Sequence, residues 1–86
     1  MLRFDIYLLH VGFEKPGRIP GQDRDLAMEI YDRYKDQEVR KRDGVLSCWI
    51  TIEAGATLIR GSAPKGWSHT DPVYENYHFE NTHLAA

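Results

Sequence analysis

The 86-residue sequence predicts a single small α+β domain with the element order β-α-β-β, followed by a short further element near the C-terminus. Three observations predict this class: an alternating apolar segment at the N-terminus, an uninterrupted amphipathic stretch after it, and a second alternating segment that turns back on itself. A chain of this length has room for one hydrophobic core only, so we expect residues 1–86 to form one domain.

The first predicted strand covers residues 2–11, where one face is apolar and the second face is partly apolar at Tyr7 and Leu9. Successive side chains of a strand point to opposite faces of a sheet, so one face of this strand should be buried. The buried face should consist of Leu2, Phe4, Ile6 and Leu8. Residues 12–21 contain two prolines and three glycines, and this composition predicts a loop.

One long helix is predicted over residues 23–42, which contain neither glycine nor proline. Leu26, Ile30 and Tyr34 recur with the spacing of one helix face. Acidic residues crowd the start of this segment and the basic residues 40–42 end it, an arrangement that complements the helix dipole.

A β-hairpin is predicted after Gly44, which should end the helix in a left-handed conformation. Residues 45–53 are rich in β-branched and aromatic side chains, and they alternate as a strand does. The inner positions of this strand should be Leu46, Cys48, Ile50 and Ile52. A turn containing Gly55 then leads to residues 57–60, which are expected to return as the antiparallel partner.

The last third of the chain is predicted to be less regular than residues 2–61, which form the expected scaffold. Residues 62–86 should hold a loop, a short edge element over residues 73–80 and a frayed tail. The pattern over residues 73–80 fits either a strand or a single helical turn.

The first two thirds of the chain resemble a known group of folds. Residues 1–61, with a Met-Leu opening strand and an Asp-Gly-Val-Leu-Ser stretch at residues 43–47, look like the start of a ferredoxin-like antiparallel sheet with one long helix on one face. They are also similar to the first three elements of dimeric α+β barrel proteins, which include muconolactone isomerases and small cofactor-free monooxygenases. This resemblance implies a homodimer with an apolar pocket in each subunit. The pocket would be lined by Phe4, Ile6, Cys48 and Ile50.

Charge and cysteine content restrict the compartment and the partner. The formal net charge of −2 provides no general basic field for nucleic-acid binding. Cys48 is the only cysteine, so no internal disulfide can form and a reducing compartment is indicated. The N-terminus lacks the pattern of a signal peptide, and no segment approaches the roughly 20 apolar residues of a membrane span. We therefore expect a cytoplasmic protein without a membrane partner.

No sequence motif indicates catalysis or a cofactor. Phosphate-loop, dinucleotide-binding, C-x-x-C, H-E-x-x-H and G-x-S-x-G motifs do not occur. Cys48 lies on the predicted apolar face of its strand, where a thiol is expected to be inert packing. No catalytic residue and no cofactor are therefore predicted.

Imidazole and carboxylate groups, which are common zinc ligands, are dense in the last third of the chain. They belong to His69, Asp71, Glu75, His78, Glu80 and His83. Their spacing lacks the short recurring pairs of a structural zinc site, so solvent-facing polar positions are the favoured interpretation and no metal site is predicted.

Aromatic side chains outnumber what the core of so small a domain needs, and such side chains are enriched in binding surfaces. Trp49 alternates with Ser47 and Thr51 on the expected polar face of its strand, which predicts an exposed contact residue. The alternative is that Trp67 or the loop of residues 12–21 folds over Trp49 and closes a minor core. The residues predicted to bind a partner are Trp49, Trp67, His69, Tyr74, Tyr77 and His78.

These features together predict a small non-enzymatic binding or regulatory protein that acts through protein–protein contacts, as a homodimer or an accessory subunit. The first alternative is the cofactor-free isomerase or monooxygenase that the resemblance implies. The second is a small ribonuclease, because the element order is also similar to ribosome-dependent and barnase-like ribonucleases. Such an enzyme needs a base, an acid and a cation, which His69 or His78, Glu75 and Arg60 supply. The slightly acidic net charge disfavours it.

Overall fold

The computed structural model describes residues 2–55 and 57–75. Within these residues the chain forms a four-stranded antiparallel sheet and two helices, which confirms the α+β class. The strands are β1 (Phe4–His10), β2 (Gly17–Gln22), β3 (Val45–Ile52) and β4 (Leu58–Gly61), and the helices are α1 (Arg24–Tyr34) and α2 (Gln37–Asp43). The strands lie in the order β2-β1-β3-β4, so a ferredoxin-like order is not confirmed.

Strand β2 lies in a segment for which a loop was expected. Its register against β1 runs from the pair Phe4–Gln22 to the pair Ile6–Ile19, so β2 carries one extra residue between them. A β-bulge of this kind tolerates proline and a glycine with positive φ, because the bulged residue leaves the hydrogen-bond ladder. Gly21 indeed has a φ of 66°. The loop prediction is therefore wrong from residue 17 onward.

The buried carboxylate of Asp5, on β1, holds this bulge in place. Its Oδ1 accepts a hydrogen bond from the N–H of Gly21 at 3.0 Å, and its Oδ2 accepts one from the N–H of Ala54 at 3.0 Å. Ala54 lies in the turn between β3 and β4 and has a φ of 56°, which is uncommon for a residue with a side chain. One carboxylate thus joins the bulge of β2 to the β3–β4 turn.

Two short helices replace the single helix predicted over residues 23–42, because Asp36 starts a new helix. Its Oδ1 accepts hydrogen bonds from the N–H groups two and three residues further on, at 2.8 and 3.2 Å, which is the geometry of an N-cap. Arg40 then donates from Nη1 to the carbonyl oxygens of Tyr34 and Lys35, at 2.6 and 2.9 Å. Because the last carbonyls of a helix lack partners, Arg40 stabilises the end of α1.

The transition from α2 to β3 was predicted in part. Gly44 ends α2 with a φ of 73°, which confirms the left-handed stop. Strand β3 follows at once, but its pairing with β1 skips Leu46 after the Leu9–Ser47 pair. Leu46 is therefore 59% exposed. The prediction that it belongs to the buried face is wrong. Leu2 lies before β1 and is exposed as well.

Both helices pack on one face of the sheet and close the main core. Its buried members are Phe4, Ile6, Leu8, Ala27, Ile30, Tyr34, Val45, Cys48 and Ile50. Side chains of α1 occupy the space in front of the strands, where the resemblance to barrel enzymes implied a ligand pocket.

Strand β4 pairs antiparallel with β3, which confirms the predicted hairpin. Neither helix in the described part of the chain has the length and apolar character that crossing a membrane requires.

Replacement of Asp5 by alanine should destabilise the fold by about 3 kcal/mol, because two partly buried hydrogen bonds to a buried carboxylate are lost at once. Asp23→Ala is the matched control, since Asp23 accepts one exposed hydrogen bond at the start of α1. Its loss should cost about 1 kcal/mol. Urea denaturation measures both free energies of unfolding. Equal decreases in the free energy of unfolding of the two variants would contradict the proposal that Asp5 joins the bulge to the turn.

Gly61 should tolerate alanine less well than Gly44, although both have positive φ values of 81° and 73°. A Cβ at Gly61 would overlap the carbonyl oxygen of Cys48 and lie 3.0 Å from the Cα of Trp49, whereas a Cβ at Gly44 meets no atom within 4 Å. The left-handed backbone alone costs alanine about 1 kcal/mol. Gly61→Ala should cost about 3 kcal/mol because overpacking adds to this strain. Thermal and urea unfolding of the two variants compare them directly.

Candidate functional site

Three aromatic side chains stack on the sheet face that the helices leave uncovered. Tyr7 of β1 and Trp49 of β3 are cross-strand partners, and their rings are parallel with centroids 5.2 Å apart. The ring of Trp67 lies edge-on against both, at 4.9 Å from Tyr7 and 5.2 Å from Trp49. We call these three residues the aromatic cluster. It forms a minor core on this face.

Trp49 is therefore not the exposed contact residue that the alternation predicted. Its side chain is 0% exposed, and the alternative interpretation, in which Trp67 folds over it, describes the observed packing. The indole N–H groups of Trp49 and Trp67 are both buried and have no hydrogen-bond partner among the described residues. The expected exposure is wrong because the sequence pattern of β3 contains no information about what covers each face.

A turn-rich segment after β4 carries Trp67 to the sheet. The N–H of Trp67 donates to the carbonyl of Pro64 at 3.0 Å, and the carboxylate of Asp71 accepts from the N–H of Ser68 at 2.9 Å. The segment then reaches β2, where the N–H of Tyr74 donates to the carbonyl of Pro16 at 2.9 Å. Local turns and one bridge to the sheet edge thus fix the position of Trp67.

An ion pair secures the end of this segment against β2. The guanidinium of Arg18 contacts the carboxylate of Glu75, and the N–H of Arg18 donates to the carbonyl of Tyr74 at 3.0 Å. Partial burial of Arg18 lowers the pKa of its guanidinium, but contacts with Tyr7 and Glu75 raise that pKa by more. Arg18 therefore remains charged and links the aromatic cluster to the segment that covers it.

An open cleft of about 600 Å³ lies beside Trp67, and we call it the Trp67 cleft. It separates the loop before β2 from the segment after β4. Its apolar lining consists of Leu9, Pro16, Pro64, Gly66, Trp67 and Pro72. Its charged lining consists of Glu14, Lys15, Lys65 and Asp71. The cleft therefore combines a rigid apolar surface with two acidic and two basic groups.

The other predicted binding residues have different positions. Tyr74 lies at the edge of β2, where the ammonium group of Lys15 is 4.7 Å from the centre of its ring and the ring of Phe13 is 5.9 Å away. His69 is half-buried in the turn-rich segment and does not line the cleft. Tyr77 and His78 lie outside the described residues, as does most of the edge element predicted over residues 73–80.

Sequence reasoning missed most residues that line the Trp67 cleft, although it identified Trp67 itself. Leu9 was placed on the second face of the first strand without a role, and the two prolines of residues 12–21 were taken only as a sign of a loop. The available signal was the pair of segments that contain both proline and glycine, residues 12–21 and 61–72. Nothing in the sequence shows that these two segments lie side by side.

A second group of chemically capable side chains is buried where β1, α1 and α2 meet. Its members, His10, Tyr34 and Asp43, are each at most 5% exposed. Burial, together with the negative charge of the nearby Asp43 carboxylate, raises the pKa of Tyr34 to about 12. Burial lowers the pKa of His10, and the charge of Asp43 offsets part of that shift. His10 is thus neutral in the folded protein near pH 7.

Two groups that the nuclease interpretation names have other contacts in the described part of the chain. Glu75 contacts Arg18, and Arg60 donates to the carbonyl of Ile59 at 3.0 Å. Among residues 2–55 and 57–75, no group of three or more His, Cys, Asp or Glu side chains is arranged to hold a metal ion. Burial raises the pKa of Cys48 to about 12, so this residue is a neutral thiol at pH 7.

Fold and site together define a small α+β domain whose one sheet face is covered by helices and whose other face carries an aromatic cluster beside an open cleft. Comparison with known proteins gives no match to a protein-family model, to a curated protein or to a solved structure. The function must therefore be inferred from the cleft and its surroundings.

His10 should make the stability of this protein depend on pH. The pKa of His10 in the folded state is below the usual value of 6.5. As the pH falls, the unfolded chain therefore binds a proton at this histidine at a higher pH than the folded protein does. The free energy of unfolding should be highest above pH 6.5 and should decrease as the pH falls towards the folded pKa. Urea denaturation between about pH 7 and pH 5, above the range of ordinary carboxylates, measures this slope. His10→Gln should remove the slope, whereas His69→Gln should keep it. An unchanged slope in His10→Gln would contradict this assignment.

Proposed function

We propose that this chain is a non-enzymatic binding or regulatory protein that recognises a segment of a partner protein in the Trp67 cleft. The observation that carries this function is the composition of the cleft, in which Trp67, Leu9 and three prolines form one continuous lining. Protein interfaces are centred on such aromatic and aliphatic surfaces, and their rims are polar.

The support beneath Trp67 favours binding over simple surface packing. Its ring rests on Tyr7 and Trp49, which are both 0% exposed, so the cleft wall is held in position before any partner arrives. Proline residues add to this rigidity because their backbone φ is restricted. A preformed site loses less conformational entropy when it binds.

The charges of the cleft indicate which partner fits. Glu14 and Asp71 contribute two negative charges, and Lys15 and Lys65 contribute two positive ones. The rim is therefore neutral overall and does not select a strongly charged ligand such as a nucleic acid. An apolar side chain flanked by ordinary polypeptide suits both the lining and the rim.

Self-association would use side-chain contacts, as recognition in the Trp67 cleft does. The edge of β2 is occupied in part by Tyr74 and contains Pro20, and β4 is only four residues long with the Arg60 side chain bonded to its own strand. Such edges do not favour pairing of sheets between two copies. A homodimer, if this is the partner, would therefore also form through side chains. We place the protein in the cytoplasm, because its single cysteine is buried and unpaired.

Selection from a random peptide library displayed on phage, with the purified protein as bait, tests this function. Enriched peptides should share an apolar residue, and their binding should shift the NMR signal of the Trp67 indole group. Leu9→Ser should weaken binding about tenfold, because it removes part of the apolar lining, a change of about 1.4 kcal/mol. Fluorescence polarisation with a labelled enriched peptide measures this loss.

Leu46→Ser is the matched control, because it makes the same exchange at an exposed position that does not line the cleft. This variant should bind the enriched peptide as the unchanged protein does. The proposed function fails if no peptide is enriched, or if both serine variants bind equally well. Sedimentation velocity of the protein alone shows whether a second copy is the partner.

A further inference from the structure

A second surface, which shares no lining residue with the Trp67 cleft, combines exposed apolar side chains with basic groups. Two clefts of about 250 and 330 Å³ adjoin there, and both are lined by Arg40 and Leu46. Lys35 lines the first cleft, and Val11 and Lys41 line the second. We call these five residues the α2 surface. It lies where the junction of α1 and α2 meets the start of β3.

The apolar part of the α2 surface is unusually exposed for a domain of this size. Leu46 is 59% exposed and Val11 is 62% exposed. Leu46 points outward because the pairing of β3 with β1 skips it, so its exposure follows from the backbone of the sheet. Exposed apolar residues that share one patch indicate an interaction site more often than isolated ones do.

The charged part of the α2 surface has one sign only. Lys35, Arg40 and Lys41 are basic, and none of the residues that line the two clefts is acidic. This contrasts with the whole chain, whose formal net charge is −2. Asp32 lies 3.5 Å from the ammonium group of Lys35 outside the clefts, and this exposed pair is weak. The surface therefore attracts negative charge.

Arg40 is fixed in this surface by the fold itself. Its Nη1 donates to the two carbonyls that end α1, at 2.6 and 2.9 Å, so its guanidinium does not have to be ordered when a ligand binds. Lys41 forms no ion pair with any of the described residues. One positive charge is thus preorganised, and the charge beside it is free to engage a ligand.

We infer that the α2 surface is a docking site for an acidic segment of a partner protein, with an apolar side chain of that segment packed on Leu46 and Val11. Charge complementarity selects carboxylates for Lys35, Arg40 and Lys41. The exposed Leu46 and Val11 favour a peptide over a nucleic acid, because neither side chain stacks on bases as aromatic residues do. This site is separate from the Trp67 cleft, so either can fail without the other.

The test uses a fluorescein-labelled peptide in which a Leu-Leu pair is flanked on both sides by runs of Asp and Glu. Fluorescence polarisation should show binding that weakens as salt is added, because exposed charges are screened. Lys41→Glu should weaken binding about tenfold and Leu46→Ser about fivefold, in line with the loss of exposed charge and apolar contacts. Both positions are exposed, so both variants should fold, as urea denaturation will verify.

Control variants and control probes decide the outcome. Lys65→Glu and Leu9→Ser change the Trp67 cleft in the same chemical ways, and they should leave binding of the acidic peptide unchanged. A peptide with serine in place of both leucines should bind more weakly than the original. The inference is overturned if the acidic peptide does not bind, or if Lys41→Glu and Lys65→Glu weaken it equally. It is also overturned if single-stranded oligothymidine or phosphatidylserine vesicles bind the α2 surface more tightly than the peptide does.

Discussion

The fold depends on the buried carboxylate of Asp5, which accepts N–H groups from two segments that are distant in sequence. It binds Gly21 in the bulge of β2 and Ala54 in the β3–β4 turn. Without this carboxylate the N–H groups of both segments would lose their side-chain acceptor, and a hydrogen bond to a charged group contributes about 1.5–3 kcal/mol. Because β1 is central in the sheet, one side chain there can organise both of its sides. The irregular parts of the sheet are thereby defined by specific hydrogen bonds.

Such definition matters because the domain is small and has no disulfide. Helices cover one face of the sheet and close a main core, but a chain of this length buries a limited fraction of its surface. The aromatic cluster of Tyr7, Trp49 and Trp67 adds a second core on the other face. The segment that carries Trp67 to this face contains turns and no helix or strand around Trp67. The Trp67 cleft exists because this segment, which contributes the Trp67 ring, and the loop before β2 stand apart.

The sequence predicted the elements whose local signals agreed, and it failed where a single side chain competed with a periodic pattern. β1, the β3–β4 hairpin and the stop at Gly44 follow from alternation and turn residues. Asp36 interrupts an otherwise helical pattern because its carboxylate captures N–H groups ahead of it. β2 was hidden because the acceptor that stabilises its bulge, Asp5, lies far away in the sequence. Trp67 was identified as a binding residue by its type, but the cleft beside it depends on tertiary contacts.

Both sheet edges are protected, so we propose that a partner binds to the faces and loops of the domain. Tyr74 bridges the edge of β2, and β4 is short, with its Ile59 carbonyl bonded by a side chain. Backbone pairing with another strand is therefore disfavoured at each edge, and only side chains are presented to a partner. The two surfaces that present them differ in chemistry: the Trp67 cleft is apolar with balanced charges, and the α2 surface is apolar with basic charges only. We therefore propose different partner segments for the two surfaces, because surfaces that differ in chemistry discriminate between ligands.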